Sequence, residues 1–85
     1  MQMLINKMRE CAIALYQNSE QEAYTKINAI VPEINKVLQG QMGKSTEIDN
    51  YVLALLSEFV TAYQLKDNLA LADLLYYNIP VLLKN

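Results

Sequence analysis

Few residues of this sequence are of the types that carry out chemistry. The chain has no histidine and a single cysteine, Cys11, so the usual general base, the commonest transition-metal ligand and a disulfide framework are all missing. Cys11 stands among alanine and isoleucine, where we expect a buried structural thiol rather than a reactive one.

Carboxylates are the remaining candidates for catalysis. Glu33, Glu58 and Asp73 fall in three different predicted helices, and the Glu-x-x-His pairs of a carboxylate-bridged metal site are absent. Asp73 lies between Leu71 and Leu74, and we expect it to anchor a tyrosine or a backbone group, with partner recognition as the alternative. The sequence therefore predicts a protein that is not an enzyme, with no catalytic residue, no metal ligand and no cofactor.

The two glycines do not form a phosphate-binding loop. Lys44 and Ser45 follow Gly40 and Gly43, which resembles the end of such a loop in composition only. The motif needs four residues between its glycines and a preceding strand, whereas this segment follows a predicted helix.

Composition predicts surplus apolar surface. The chain has 85 residues, of which 53% are hydrophobic and 19% charged, so one small domain carries more apolar surface than a typical globular protein. Its net charge is −2 without a basic stripe, which argues against nucleic-acid binding. We expect a partner protein or a second copy, as a homodimer, to cover the surplus.

Membrane and targeting signals are not evident. The longest apolar run, YVLALL, is far shorter than the ~20 residues that span a bilayer. The first residues, MQMLINKMRECAIAL, contain an acid and bases inside the apolar part and show no secretory cleavage pattern. We expect a cytoplasmic protein without a membrane span.

The pattern of apolar residues predicts an all-α fold. Only two glycines and two prolines interrupt the chain, and apolar residues recur at three- and four-residue steps. The loop 40–45 separates two predicted helical hairpins, so the expected architecture is a single domain, 1–85, folded as a four-helix bundle built from two antiparallel hairpins. The predicted helices are 2–17, 20–39, 46–66 and 69–84.

The two halves of the chain resemble each other. When Tyr16 is aligned with Tyr63, Ala23 matches Ala70 and Pro32 falls one residue from Pro80. One interpretation is that two hairpins of similar length have some identical residues at aligned positions by chance. The other is a pseudo-two-fold repeat, in which both prolines mark bends at comparable depth.

The last helix has an apolar arc wider than one buried face requires. Tyrosines suit half-buried sites and interfaces, and the adjacent Tyr76 and Tyr77 cannot both face a narrow core stripe. We therefore expect part of this helix, with the facing part of the third helix, to remain exposed as a partner-binding surface. The predicted partner-binding residues are Tyr51, Leu55, Phe59, Asp73, Leu75, Tyr76, Ile79 and Leu83.

About three-quarters of the chain is similar to a known family in its apolar spacing. The segments EAYTKINAIVPEINKVL and IDNYVLALLSEFVTAYQLKDNLALADLLYYNIPVLL resemble the flagellin-specific export chaperones, which are small all-helical cytoplasmic proteins. The resemblance implies a fold that holds an extended flagellin terminus against its helices. This chain departs from the family in being shorter and in lacking its N-terminal segment.

Together these observations predict a non-enzymatic protein-interaction module that binds an amphipathic helix or extended segment of another protein. The alternative is a small regulatory or ligand-sensing helical bundle with an apolar pocket.

Overall fold

The computed structural model describes residues 2–84, which are 88% helical and contain no strand. The all-α class is therefore confirmed. The ends of the four helices lie within one residue of the predicted ends, and Met1 and Asn85 lie outside the described residues. The helices are α1 (Gln2–Tyr16), α2 (Glu20–Gly40), α3 (Thr46–Leu65) and α4, which runs without a break through Asn68–Asp73, the π-helical segment Leu74–Asn78 and Ile79–Lys84.

The turn between α1 and α2 is held by backbone hydrogen bonds. Asn18 adopts the left-handed conformation, with φ 61°. The Ser19 N–H donates to the Ala14 carbonyl at 2.9 Å and the Asn18 N–H to the Leu15 carbonyl at 3.1 Å, which is a Schellman motif. Ser19, which precedes α2, has ψ 62°, and its side chain makes no capping hydrogen bond.

The loop between α2 and α3 folds around a side chain of the next helix. Gly43 has φ 92°, which favours glycine, and its N–H donates to Asp49 Oδ1 at 2.8 Å. The Ser45 hydroxyl accepts from the Ile48 N–H at 3.1 Å and so caps α3.

The turn between α3 and α4 repeats the first turn. Lys66 is left-handed, with φ 53°, and the Asp67 N–H donates to the Ala62 carbonyl in a second Schellman motif. Counted from Asn18 and Lys66, Pro32 and Pro80 occupy the same position in their helices. An alignment of the two halves on these turns and prolines is one residue away from the alignment on Tyr16 and Tyr63.

The two prolines are accommodated differently. In α4 the Ile79 N–H donates to the Leu74 carbonyl, five residues back, so the helix widens into a π-helical turn just before Pro80. α2 stays α-helical through Pro32. Pro80 is buried and Pro32 is exposed, so the two prolines differ in burial.

The helices pack unevenly around one core. α1 packs extensively on both α2 and α4, and α3 packs on α4, whereas α2 and α3 touch only sparsely. Side chains of all four helices meet in the core, and no polar side chain of residues 2–83 is buried. No helix in this part of the chain combines the length and apolar character needed to cross a membrane. The largest fully buried side chains are Ile5, Met8, Cys11, Ile27, Leu38, Val52, Leu71, Leu75 and Ile79.

Candidate functional site

Most of the predicted partner-binding residues lie in the core. Leu75, Ile79 and Leu83 are buried, so the prediction that α4 leaves an exposed apolar patch there is wrong. Leu55 and Phe59 of α3 are buried as well. The reason is that α1 and α3 both pack on α4, and the π-helical turn changes which side chains face them.

The other predicted residues lie nearer the surface. Tyr51 and Asp73 are exposed, and Tyr76 is half-buried. A charged residue at position 79 or 83 would therefore disrupt the core rather than test an interface. The exposed part of the predicted surface is reduced to separate side chains on α3 and α4.

The sparse contact between α2 and α3 leaves a groove of about 590 Å³. Its floor is formed by the buried side chains of Ile34, Leu38 and Phe59. The groove is lined by Asn28, Val31, Pro32, Ile34, Asn35 and Leu38 of α2 and by Leu56, Phe59, Val60, Tyr63 and Gln64 of α3.

None of the eleven lining residues is charged. The apolar walls are completed by Val31, Leu56 and Val60, of which Val60 is 51% exposed. The side-chain amides of Asn35 and Gln64 are exposed beside these walls. The groove therefore offers apolar contact along its length and neutral hydrogen-bonding groups at its sides.

Pro32 leaves one backbone acceptor of α2 without its usual partner. Proline has no N–H, so the carbonyl of Asn28, four residues earlier, lacks its normal α-helical donor. Both residues line the groove.

Tyrosines close one end of the groove. The Tyr63 hydroxyl donates to the Asn28 side-chain oxygen, which links α3 to α2. The Tyr24 ring packs edge-on against the Tyr63 ring, with 5.5 Å between centroids, and its hydroxyl donates to Asn68 Oδ1 at 2.8 Å. Lys66 Nζ lies 5.3 Å from the centroid of the Tyr24 ring, a cation–π contact. Burial raises the pKa of Tyr24, and the nearby Glu20 adds to this effect.

A second group of polar and aromatic side chains links α1 to α4. The Tyr16 hydroxyl donates to Asp73 Oδ1 at 2.5 Å, so Asp73 anchors a tyrosine. This hydrogen bond raises the pKa of Tyr16 to about 12, because ionisation would remove the donated proton and place two negative charges together. The Arg9 guanidinium lies 5.7 Å from the Tyr76 ring centroid.

The thiol and the acids show no catalytic arrangement. Cys11 is buried as predicted, and burial raises its pKa to about 11, which disfavours the reactive thiolate. Within residues 2–84 no three acidic or thiol side chains come together where they could hold a metal ion.

Sequence reasoning identified Phe59 of the groove but missed its walls, Val31, Leu56 and Val60. One available signal was the charge pattern of α3. Between Asp49 and Lys66 the only charged residue is Glu58, so this helix has an uncharged surface beyond what its core face requires.

Comparison of the chain with models of protein families, with curated proteins and with solved structures finds no match. The resemblance to the flagellin-specific export chaperones therefore stays a prediction.

Proposed function

We propose that this protein is a non-enzymatic interaction module whose α2–α3 groove binds an amphipathic segment of another protein. The observation that carries the proposal is the groove itself, which is apolar, about 590 Å³ in volume and lined only by uncharged residues. A bound segment buries apolar side chains there without leaving a charge unpaired, which would be costly.

Affinity and register come from different parts of the groove. Val31, Leu56 and Val60 supply the apolar contact that stabilises the complex. The amides of Asn35 and Gln64 fix the position of the segment through hydrogen bonds. The α2 lining extends from residue 28 to residue 38, about 15 Å at 1.5 Å per residue, which accommodates about three turns of a helix.

The proposed framework is a four-helix bundle of two antiparallel hairpins related by an approximate two-fold axis. Two features support it: the matching Schellman turns at Asn18 and Lys66, and the common position of Pro32 and Pro80. In this arrangement the α2–α3 groove is the counterpart of the packed α1–α4 contact.

The resemblance to flagellin-specific export chaperones leads to a more specific proposal, a cytoplasmic binder of a flagellin terminus. Co-elution with flagellin on a sizing column tests it. We expect the complex to be lost when Val60 is replaced by glutamate, and co-elution unaffected by this change would contradict the groove as the flagellin site.

A hydrophobic fluorescent dye tests the groove without knowledge of the partner. The dye should fluoresce with the wild-type protein at low protein concentration, and Val60→Glu should remove the signal by placing a charge in the wall. Ile13→Glu on α1 is the matched control, since Ile13 is 44% exposed and Val60 51%. Thermal melts followed by circular dichroism establish that both variants are folded.

Two results would overturn the groove as a binding site. One is the absence of dye fluorescence at every protein concentration. The other is an equal loss of fluorescence in Val60→Glu and Ile13→Glu, which would place the dye elsewhere.

The second candidate is a ligand-sensing bundle with an apolar pocket, and the groove volume favours it, since small-molecule sites measure roughly 300–1,000 Å³. A thermal-shift screen with small apolar molecules separates the two candidates. A sensor gives a saturable shift with one chemical class of compound, and Val60→Glu removes it, whereas a protein-binding groove binds small apolar compounds weakly and without preference among them, as it binds the dye.

A further inference from the structure

A second groove lies between α3 and α4, on the other side of α3 from the α2–α3 groove. Its volume is about 440 Å³. The floor is apolar and consists of the buried side chains of Ala62 and Leu74 and the half-buried side chain of Ala70. Leu65, which is 74% exposed, lies at the end of the groove nearest the turn between α3 and α4. The groove therefore offers apolar contact to a ligand.

The α3–α4 groove differs from the α2–α3 groove in its charge. Of the ten described residues that line it, Glu58, Asp67 and Asp73 are acidic and none is basic. Lys66 follows the end of α3, but its Nζ lies over the Tyr24 ring of α2 and so outside this groove. A ligand in the groove therefore faces acidic side chains beside an apolar floor.

The fold holds two of these carboxylates in place. Asp67 Oδ1 accepts from the Ala70 N–H at 3.2 Å and so caps α4. Asp73 Oδ1 accepts from the Tyr16 hydroxyl at 2.5 Å. Both donors are neutral, so the carboxylates are ordered without losing their negative charge. Because they are already ordered, they can pair with a cation without the entropy cost of fixing flexible side chains on binding.

We propose that the α3–α4 groove binds an amphipathic helix of a partner protein that carries lysine or arginine side chains beside its apolar stripe. The stripe lies on the apolar floor, and the cationic side chains reach the carboxylates at the edges. The α3 lining extends from residue 57 to residue 65, about 12 Å at 1.5 Å per residue, which is about two helical turns. This inference goes beyond the proposed function, because it concerns a second groove of different chemistry.

The charges favour this occupant over other cations and over anionic partners. Within residues 2–84 no three acidic side chains come together where they could hold one metal ion, so the separate carboxylates suit separate cationic side chains. Nucleic acid and anionic lipid headgroups would be repelled. The sequence has the same imbalance, since residues 45–85 carry five acids and two bases, whereas residues 1–44 carry four acids and five bases. A basic partner is therefore attracted to this half of the chain.

Fluorescence anisotropy with designed peptides tests the inference on the full chain. The probe is a fluorescein-labelled amphipathic helix of about 18 residues, made of leucine, alanine and lysine. The control peptide has glutamate in place of each lysine. We expect micromolar binding of the lysine peptide and at least about 10-fold weaker binding of the glutamate peptide. The affinity for the lysine peptide should fall as the salt concentration rises from about 0.05 M to about 0.5 M, because salt screens exposed charges.

Neutral variants of the three acids test the site. The triple variant Glu58→Gln, Asp67→Asn, Asp73→Asn removes three negative charges. Its amide oxygens can still accept the hydrogen bonds that cap α4 and link α1 to α4. We expect the dissociation constant of the lysine peptide to rise at least about 10-fold in this variant.

A second triple variant controls for net charge. Glu10→Gln, Glu20→Gln, Glu33→Gln changes the net charge by the same amount, at exposed positions outside the α3–α4 groove. Its dissociation constant for the lysine peptide should stay within about threefold of the wild type, because distant exposed charges are screened.

A tryptophan reporter locates the peptide. The chain has no tryptophan, so Leu65→Trp places a single indole at the end of the groove. Leu53→Trp is the control, since Leu53 is an exposed leucine of the same helix that does not line the groove. The lysine peptide should shift the emission of Leu65→Trp to shorter wavelength and leave Leu53→Trp unchanged. This result also decides the matter if the triple variant does not fold.

Three results would overturn the inference. One is the absence of lysine-peptide binding up to about 1 mM. Another is an equal loss of affinity in the two triple variants, which would assign binding to net charge alone. The third is a dimer of the wild type on sedimentation that the groove variant dissociates, which would place a second copy in the groove.

The dye experiment separates this inference from the proposed function. If Val60→Glu removes peptide binding and the groove variant leaves it intact, the peptide occupies the α2–α3 groove, which overturns this inference and retains the proposed function. If the peptide binds as expected but the protein binds no dye at any concentration, this inference is retained and the α2–α3 groove is overturned as a binding site.

Discussion

The α1–α4 contact and the α2–α3 groove are made from corresponding parts of the two halves, yet one is closed and the other is open. Counted from Asn18 and Lys66, the α1 residues Ile5, Met8, Ala12 and Leu15 correspond to Leu53, Leu56, Val60 and Tyr63 of α3. The four on α1 are buried, and the four on α3 are exposed or half-buried. A similar apolar pattern therefore forms core in one half and accessible surface in the other.

The facing helices account for the difference. On α4, Ile79 and Leu83 are buried, and their counterparts on α2 are the half-buried Val31 and the exposed Asn35. An amide at position 35 remains hydrated more readily than it is buried without a partner. Two helices with the same spacing can thus either close or stay apart, depending on a few side chains near the end of the second helix.

The largest expected difference in the free energy of unfolding comes from shortening equivalent side chains in the α1–α4 contact and in the α2–α3 groove. Ile79→Ala removes a fully buried side chain and should lower the free energy of unfolding by about 2–5 kcal/mol, through lost burial and the cavity left behind. Val31→Ala, at the corresponding position in the open groove, should cost about 1 kcal/mol or less. Urea unfolding measures both changes, and equal losses would show that the groove is as tightly packed as the α1–α4 contact.

The prolines offer the next comparison. Pro32→Ala should raise the free energy of unfolding by about 1–3 kcal/mol, because alanine restores the N–H that the Asn28 carbonyl lacks and favours the helix. Pro80→Ala should lower it by roughly 1 kcal/mol, because the π-helical turn already accommodates a buried ring whose loss leaves a gap.

Urea unfolding of both proline variants shows whether the free energy of unfolding rises for Pro32→Ala and falls for Pro80→Ala. Changes of the same sign and size would mean that the π-helical turn has no role in accommodating Pro80. The comparison between the two helices would then rest on the side chains at positions 31 and 35 alone.

The helices were predictable from sequence because their ends depend on local chemistry. Asparagine adopts the left-handed backbone conformation more readily than most residues, which suits Asn18 to end α1. Ser45 caps α3, and Gly43 takes a backbone conformation with positive φ. The burial of Cys11 followed from its apolar neighbours. These features need no knowledge of which helices meet.

Exposure in α4 and the opening of the groove were not predictable in the same way. A helical wheel with 100° steps misplaces side chains after a π-helical turn, which contributed to the wrong prediction for Ile79 and Leu83. The distance between α2 and α3 depends on packing across the whole core rather than on the period of either helix. Phe59 was found because its spacing places it on the inner face of α3.

Replacing Tyr63, which closes one end of the groove, should change the free energy of unfolding less than the proline substitutions do. Tyr63→Phe removes the hydrogen bond to Asn28 and should lower the free energy of unfolding by about 0.5–1.5 kcal/mol. Tyr51→Phe, at an exposed position of the same helix, is the control and should change it by less than about 0.5 kcal/mol. Thermal melts measure both, and an equal response would indicate that the Tyr63 hydroxyl does not hold α3 to α2.

The hydrogen bond from Tyr16 to Asp73, which links α1 to α4, predicts a small dependence of stability on pH. The pKa of Tyr16 is raised from 10.0 to about 12 by its hydrogen bond to Asp73, so the folded state holds the phenolic proton more tightly than the unfolded state. The resulting stabilisation is complete below pH 10 and is lost as the pH rises from about 10 to about 12. Because Tyr16 is 41% exposed, solvent screening keeps the effect small. Wild type should therefore unfold at higher urea than Tyr16→Phe at pH 8, with the difference shrinking by pH 11.5, whereas a constant difference would assign the contribution of Tyr16 to packing of its ring.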